Sequence, residues 1–166
     1  MSDAPAITAA VLTVSDRCAA GTAVDASGPR VEEVLVARLN ATVVARALVA
    51  DEIAQIEAVL RDWAKQGVHL IATTGGTGFS PRDVTPEAAM RVIDRPAMNL
   101  MELARSRCGA VSPKAYLSRG VSGVAGRSII VTLPGSPKGA AEVLEAMCDL
   151  LPHAVALVQG ISRSHA

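Results

Sequence analysis

Short, dense apolar runs take turns with segments of helical spacing along this chain. Residues 7–14 form a compact apolar run that ends in Ser15-Asp16-Arg17, which predicts a strand and then a polar turn. Residues 18–27 are small and rich in Gly, Ala and Thr, which predicts a loop. From Gly28-Pro29 the spacing becomes helical, with Val31, Val34, Leu35 and Leu39 on one face and Asn40 closing the helix. Pro29 suits the first turn, where its missing N–H costs nothing. Residues 42–49 are β-branched and apolar and predict a second strand. Asp51 follows as an N-cap for a helix bearing Ile53, Ile56, Leu60 and Ala64, which Gly67 ends. Residues 68–73 predict a third strand, apolar enough for a buried parallel sheet.

The second half is less regular. Residues 74–86 are dense in Gly, Pro, Ser and Thr and predict a loop. Residues 87–94 read as helix, Pro96 breaks it, and residues 97–107 resume it through Leu100, Met101 and Leu103. Residues 116–124 predict a strand with turns at Gly120, Gly123 and Gly126. Residues 128–133 predict another, and Pro134-Gly135-Ser136-Pro137 then turns sharply into a helix over 140–150. A last amphipathic segment, 153–158, ends at Gly160. Strands alternating with helices predict a doubly wound α/β/α sandwich around a mostly parallel sheet.

Length and composition narrow the classes. The 166 residues predict one domain over 1–166, with a core of about 6–160 and short flexible termini. Half the residues are hydrophobic and the formal net charge is zero, which excludes a disordered chain and a globally basic nucleic-acid binder. Trp63, Phe79 and Tyr116 are the whole aromatic set, too few for base-stacking platforms. The N-terminus has no positive n-region, and no apolar run is long enough to span a membrane. Cys18, Cys108 and Cys148 are odd in number and lie far apart, which predicts small buried thiols in a reducing cytosol. His69, His153 and His165 are equally scattered, without metal-ligand spacing.

The candidate chemistry lies where the strands end. Ligands of doubly wound sheets bind outside the carboxyl ends of the strands. Four polar features fall there: Ser15-Asp16-Arg17, Asp51, Gly75-Gly76-Thr77-Gly78 running on to Asp83, and Pro134–Pro137. Successive glycines let a backbone turn tightly and aim N–H groups at an anion, as a phosphate site requires. The Pro134 turn offers the same donors at a helix N-terminus. Each glycine turn also reads as plain turn chemistry, and neither is a Walker loop or a dinucleotide fingerprint. Asp51 and Asp83 sit beside these turns and suit Mg2+, or else act as caps. No nucleophile–base spacing points to covalent catalysis. The residues alone thus predict a phosphate- or nucleotide-handling α/β domain.

The stretch Thr73-Thr74-Gly75-Gly76-Thr77-Gly78-Phe79-Ser80-Pro81-Arg82-Asp83-Val84-Thr85-Pro86-Glu87-Ala88 goes further. It closely resembles the signature of the molybdopterin-binding MogA/MoaB family, which includes the N-terminal domain of gephyrin. Ser15-Asp16-Arg17, Asp51-Glu52-Ile53, Leu117-Ser118-Arg119-Gly120, Gly123-Val124-Ala125-Gly126, Leu133-Pro134-Gly135-Ser136-Pro137 and His153-Ala154 continue the resemblance in order. It implies the family's fold and molybdopterin adenylyltransferase activity in molybdenum cofactor synthesis. AMP would pass from Mg-ATP to the terminal phosphate of molybdopterin, and pyrophosphate would leave. By the same resemblance Asp51 and Asp83 are the essential acidic positions, with Mg2+ between them. Gly75, Gly76, Thr77 and Gly78 form the pterin-phosphate loop. Ser15, Asp16, Ser118, Pro134, Gly135 and Ser136 line the pocket. Arg82 and Lys138 are candidate counter-charges for the triphosphate or solvated surface groups. The resemblance also implies a cytoplasmic homotrimer or hexamer that hands its product to a molybdate-insertion enzyme, without nucleic acid or membrane. The rivals are a MoaB-like paralogue that binds the pterin without adenylating it, a trimeric scaffold, and a domain of a molybdate-insertion or competence-damage protein. Retention of Arg82-Asp83-Val84-Thr85 and of Asp51 favours the active branch.

Overall fold

The computed structural model describes residues 6–161; the terminal segments, with Met1–Pro5 and His165, lie outside them. A six-stranded sheet runs in the order β2-β1-β3-β6-β5-β4. Its strands are β1 (Thr8–Val14), β2 (Thr42–Val49), β3 (Leu70–Thr74), β4 (Arg95–Pro96), β5 (Ser122–Ala125) and β6 (Ser128–Leu133). The first four in that order pair parallel, whereas β5 and β4 add antiparallel. β1, β3 and β6 are buried along nearly their whole length, because helices cover both faces of the sheet. β2 is an edge strand, and its burial alternates.

The alternation of side chains along each central strand divides the core into two layers. Ala9, Val11, Leu70, Ala72, Ile129 and Val131 face one way. They pack against α2 (Ser27–Leu39), α5 (Asn99–Gly109), α6 (Pro137–Glu145) and α7 (Leu151–Val158). Ala10, Leu12, Ile71 and Ile130 face α3 (Ile53–Lys65) and α4 (Thr85–Met90) on the other side. The result is the expected three-layer α/β/α sandwich.

Several local readings need correction. The small-residue segment after β1 opens with one helical turn, α1 (Asp16–Ala19), because the Ser15 hydroxyl caps it by accepting from Cys18 N–H at 3.2 Å. The strand expected over 116–124 exists only from Ser122. Pro113 instead starts a 3-10 turn, Pro113–Leu117, whose carbonyls do not face a strand partner. Pro96 ends no helix; it lies in the short edge strand β4, where a missing N–H is tolerated. The helix expected over 87–94 spans Thr85–Met90, and the one over 140–150 begins at Pro137. Asp51 does not cap α3; Glu52 occupies that position and makes no side-chain cap. The three cysteines are half-buried rather than core residues.

Candidate active site

β1 lies between β2 and β3, so the chain leaves its carboxyl end toward one side and returns on the other. Such a switch point opens a crevice. Ser15–Arg17 after β1, Asp51 after β2, the Gly75–Asp83 segment after β3 and Pro134–Ser136 after β6 all gather there. Two cavities, of about 510 Å3 and about 610 Å3, lie side by side. Thr77, Gly78, Ser118 and Pro134 line the first, with Cys108, Lys114 and Lys138 farther out. Ser15, Asp16, Asp51 and Gly75 line the second, with the Val24–Ser27 backbone beyond them. Gly76, Asp83, Gly135 and Ser136 line both and form the partition. Every predicted pocket residue therefore borders one cavity or the other, as does Lys138, whereas Arg82 borders neither.

The glycine turns do not present every amide to the cavities. Gly75 N–H donates to Leu133 O at 3.1 Å, continuing the β3–β6 ladder, so it offers no donor to a ligand. Its φ of 99° places the missing Cβ only 2.1 Å from the Val14 carbonyl oxygen, a position closed to any side chain. Among the described residues, the N–H groups of Gly76, Thr77 and Gly78 meet no protein acceptor. The amides of Gly135, Ser136 and Lys138 are equally open, while the Ser136 hydroxyl caps α6 by accepting from Gly139 N–H at 3.1 Å. Two groups of amides thus converge on the partition, one of them at a helix N-terminus.

The acidic residues form one network. Asp16 N–H donates to Asp51 Oδ2 at 2.8 Å, and Asp51 N–H donates to Asp16 Oδ1 at 3.0 Å. The Arg82 guanidinium grips both Asp16 oxygens at 2.9 Å and also Glu52 at 2.9 Å. Arg82 and then the Asp51 amide hold the Asp16 carboxyl below its ordinary pKa. Burial pushes the Asp51 carboxyl above its own, assisted by the like charges of Asp16 and Asp83 and opposed by the Asp16 N–H. Asp83 closes a turn on itself: Ser80 N–H donates to Asp83 Oδ2 at 2.8 Å, and Asp83 N–H to Ser80 O at 2.9 Å. Arg82, one of the two candidate counter-charges, is thus committed to carboxylates. Lys138 stands 85% exposed by the first cavity, 3.8 Å from Glu142.

Asp51 and Asp83 each satisfy one oxygen with a backbone amide and leave Oδ1 without a protein donor among the described residues. No three His, Cys, Asp or Glu side chains converge there on one point. A cation would rest on two carboxylates, water and phosphate oxygens, an oxygen-rich set that suits Mg2+.

The sequence reading missed what holds these loops. Arg119 N–H donates to Thr77 O, its Nε to Gly78 O and its Nη2 to Asp83 O, each at 2.7 Å, while Nη1 pairs with Glu87. Behind it, Arg105 donates to Ser118 O at 3.2 Å and also to Gly120 O. Ser118 Oγ donates to Thr77 Oγ1 at 3.1 Å. Arg119 lies within the Leu117–Gly120 motif, but the residues its side chain grips are 32 to 41 positions away, and no local pattern signals that.

Comparison with known proteins matches residues 10–153 to the family described as "Probable molybdopterin binding domain". The chain is 38% identical over 152 residues to a molybdopterin adenylyltransferase of Helicobacter pylori, covering 90% of this chain and 86% of that protein. It is 36% identical to the gephyrin of Dictyostelium discoideum over 93% of this chain and 23% of that protein. The chain spans between about a quarter and a half of the length of several curated relatives it matches. A crystal structure of the molybdopterin biosynthesis enzyme MoaB from Thermus thermophilus superposes with a TM-score of 0.87 at 47% identity, covering 93% of this chain and 97% of that one.

Proposed function

The chain belongs to the molybdopterin-binding domain family, and from that membership we propose that it is a molybdopterin adenylyltransferase of molybdenum cofactor synthesis. The observation that carries this reading is the pair of cavities with a common wall of Gly76, Asp83, Gly135 and Ser136. Two anionic substrates brought to one wall can exchange a phosphoryl-type group, whereas a single pocket serves binding alone. On this reading the first cavity takes molybdopterin with its phosphate on the amides of Gly76, Thr77 and Gly78. The second takes ATP, with its triphosphate toward Gly135 and Ser136 and its nucleoside along Val24–Ser27.

In the reaction the terminal phosphate oxygen of molybdopterin attacks the α-phosphorus of ATP. The P–O bond to the β-phosphate breaks, and pyrophosphate departs with that electron pair. A phosphomonoester has a second pKa near ~6 and is largely dianionic at neutral pH, so the attacking oxygen needs no general base. What remains is alignment of two anions and neutralisation of their repulsion. The amides supply fixed positive dipoles that need not reorganise during the step. Asp51 and Asp83 would hold Mg2+, which when bound neutralises triphosphate charge. Ser118 orients Thr77, and Ser15 and Asp16 shape the nucleotide wall around Asp51. The same reading has one domain, assembled as a homotrimer in the cytoplasm, delivering adenylylated molybdopterin to a molybdate-insertion enzyme.

The test is pyrophosphate release from Mg-ATP with and without molybdopterin. Release that requires molybdopterin is expected, and Asp83→Asn should abolish it while molybdopterin still binds. Molybdopterin binding by the wild type without release would replace this reading with that of a non-adenylating paralogue.

A further inference from the structure

Arg119 borders neither cavity, yet it bonds to the segment that lines both. We propose that Arg119 is the positioning residue of the site, setting through the Gly76–Asp83 segment both the direction of the Gly78 and Phe79 amides, the first through its backbone N–H and the second through its side chain, and the place of the Asp83 carboxylate. The proposal rests on the adenylyl-transfer reading above for its effect on turnover.

The geometry follows from the planarity of the peptide. In a trans peptide the C=O and the N–H of the next residue point in opposite directions. Three successive carbonyls here are drawn away from the cavities. Gly76 O accepts from Thr85 N–H at 3.0 Å, Thr77 O from Arg119 N–H at 2.7 Å, and Gly78 O from Arg119 Nε at 2.7 Å. Their paired N–H groups, those of Thr77, Gly78 and Phe79, are thereby turned the other way. Arg119 controls two of the three.

The same guanidinium reaches the far end of the loop. Nη2 donates to Asp83 O at 2.7 Å, so one planar fork grips residues 78 and 83 together. Between them the turn is closed by the Ser80–Asp83 bonds and by Arg82 N–H donating to Ser80 Oγ at 3.4 Å. Arg119 is itself fixed, since Arg105 on α5 holds the carbonyls of both its neighbours, Ser118 and Gly120. A lysine ammonium is a single point on a flexible stem, without the planar fork that meets the carbonyls of residues 78 and 83 together.

The experiment compares the wild type with Arg119→Lys, Arg119→Gln and, as a control, Arg61→Lys on the remote surface of α3. Molybdopterin-dependent pyrophosphate release is followed across Mg2+ and ATP concentrations, with thermal unfolding measured in parallel. Both Arg119 variants should lose about 10²-fold in kcat, the order expected for a misplacement of about 1 Å. Half-saturating Mg2+ should rise while KM for ATP stays put. A merely structural role would lower the melting temperature and the active fraction but leave the Mg2+ curve in place. That result, or an unchanged kcat, overturns the proposal. A second readout does not depend on turnover: titration with inorganic phosphate, followed by the amide resonances of Gly78 and of Phe79, the amide that the Arg119 side chain turns. Phosphate should bind about tenfold more weakly to Arg119→Gln than to the control, the loss of about one charge-assisted hydrogen bond. Equal titrations overturn the proposal. A wild type that binds phosphate but transfers nothing refutes only the adenylyl-transfer reading, and the titrations still decide the role of Arg119.

Discussion

Alanine at Gly76 tests the point where the two cavities meet. Gly76 has a φ of 66°, and a Cβ added there would lie 2.3 Å from Thr85 Oγ1 and 2.9 Å from Asp51 Oδ1. Thr85 is 0% exposed and its hydroxyl has no partner, so it has no room to retreat. Two costs combine. A left-handed backbone costs a residue with a Cβ about 1–2 kcal/mol, offset by about 0.4–1 kcal/mol of lost unfolded-state entropy. Overpacking adds about 1–3 kcal/mol. Gly126, at a φ of 57° with nothing within 4 Å of its Cβ position, bears the backbone cost alone. Gly76→Ala should therefore be about 1–3 kcal/mol less stable than Gly126→Ala, and the backbone cost cancels in the comparison. Urea unfolding reports this through Trp63, the single tryptophan, buried on α3. Adding Thr85→Ala removes the offending oxygen and should return most of the difference. Equal stability of the two glycine variants, or strict additivity of Gly76→Ala with Thr85→Ala, would refute the close-approach reasoning.

Two further outcomes concern titration. Asp16 has a lowered pKa, so its contribution to stability is present at neutral pH and is lost as pH falls through that pKa, below about 4. Asp51 has a raised pKa, so its contribution is present below about 4 and is lost as pH rises through the folded value. Urea midpoints from pH 3 to 7 should show Asp16→Asn converging with the wild type in acid and Asp51→Asn gaining on it toward neutrality; parallel curves would contradict both. Cys148, whose thiol burial and nearby Glu145 push up to about 11, should react with a disulfide reagent at pH 8 roughly 10²-fold more slowly than an unperturbed thiol. A rate like that of free cysteine would show that this thiol is not desolvated.

The elements most legible in the sequence are those whose burial is two-sided. β1, β3 and β6 were readable because a strand covered on both faces is apolar at most positions rather than at every second one. The β4 edge of the sheet was not, because Arg95 and Pro96 carry no periodicity. Tyr116 and Leu117 lent apolar character to the start of the strand expected over 116–124 but lie in a 3-10 turn. The place of the site was legible in the same way, since polar clusters closed each apolar run. Spacing and composition stopped at phosphate chemistry, and the long Thr73–Ala88 signature supplied the reaction. Neither could show that Gly75 N–H belongs to the sheet, that Arg82 belongs to Asp16 and Glu52, or that Arg119 grips Gly78 and Asp83. These are contacts between segments far apart in the chain, created by the fold and absent from any local pattern.

Their common feature is where the arginines point. Arg82 and Arg119 hold the loops of the crevice and are spent on carboxylates or carbonyls of the scaffold, Arg105 fixes Arg119 from behind, and Arg17 lines the second cavity. A free guanidinium beside Asp51 and Asp83 would pair with them, because a fork–carboxylate contact is among the strongest a surface offers. It would then occupy the place a divalent cation needs. Binding Arg82 to Asp16 and Glu52 keeps it away, and the open amides add to the charges of Arg17, Lys114 and Lys138 a positive potential that cannot collapse onto a carboxylate. A chain of zero net charge can therefore present an anion site: Arg82 and Arg119 shape the loops, and the loops present the dipoles.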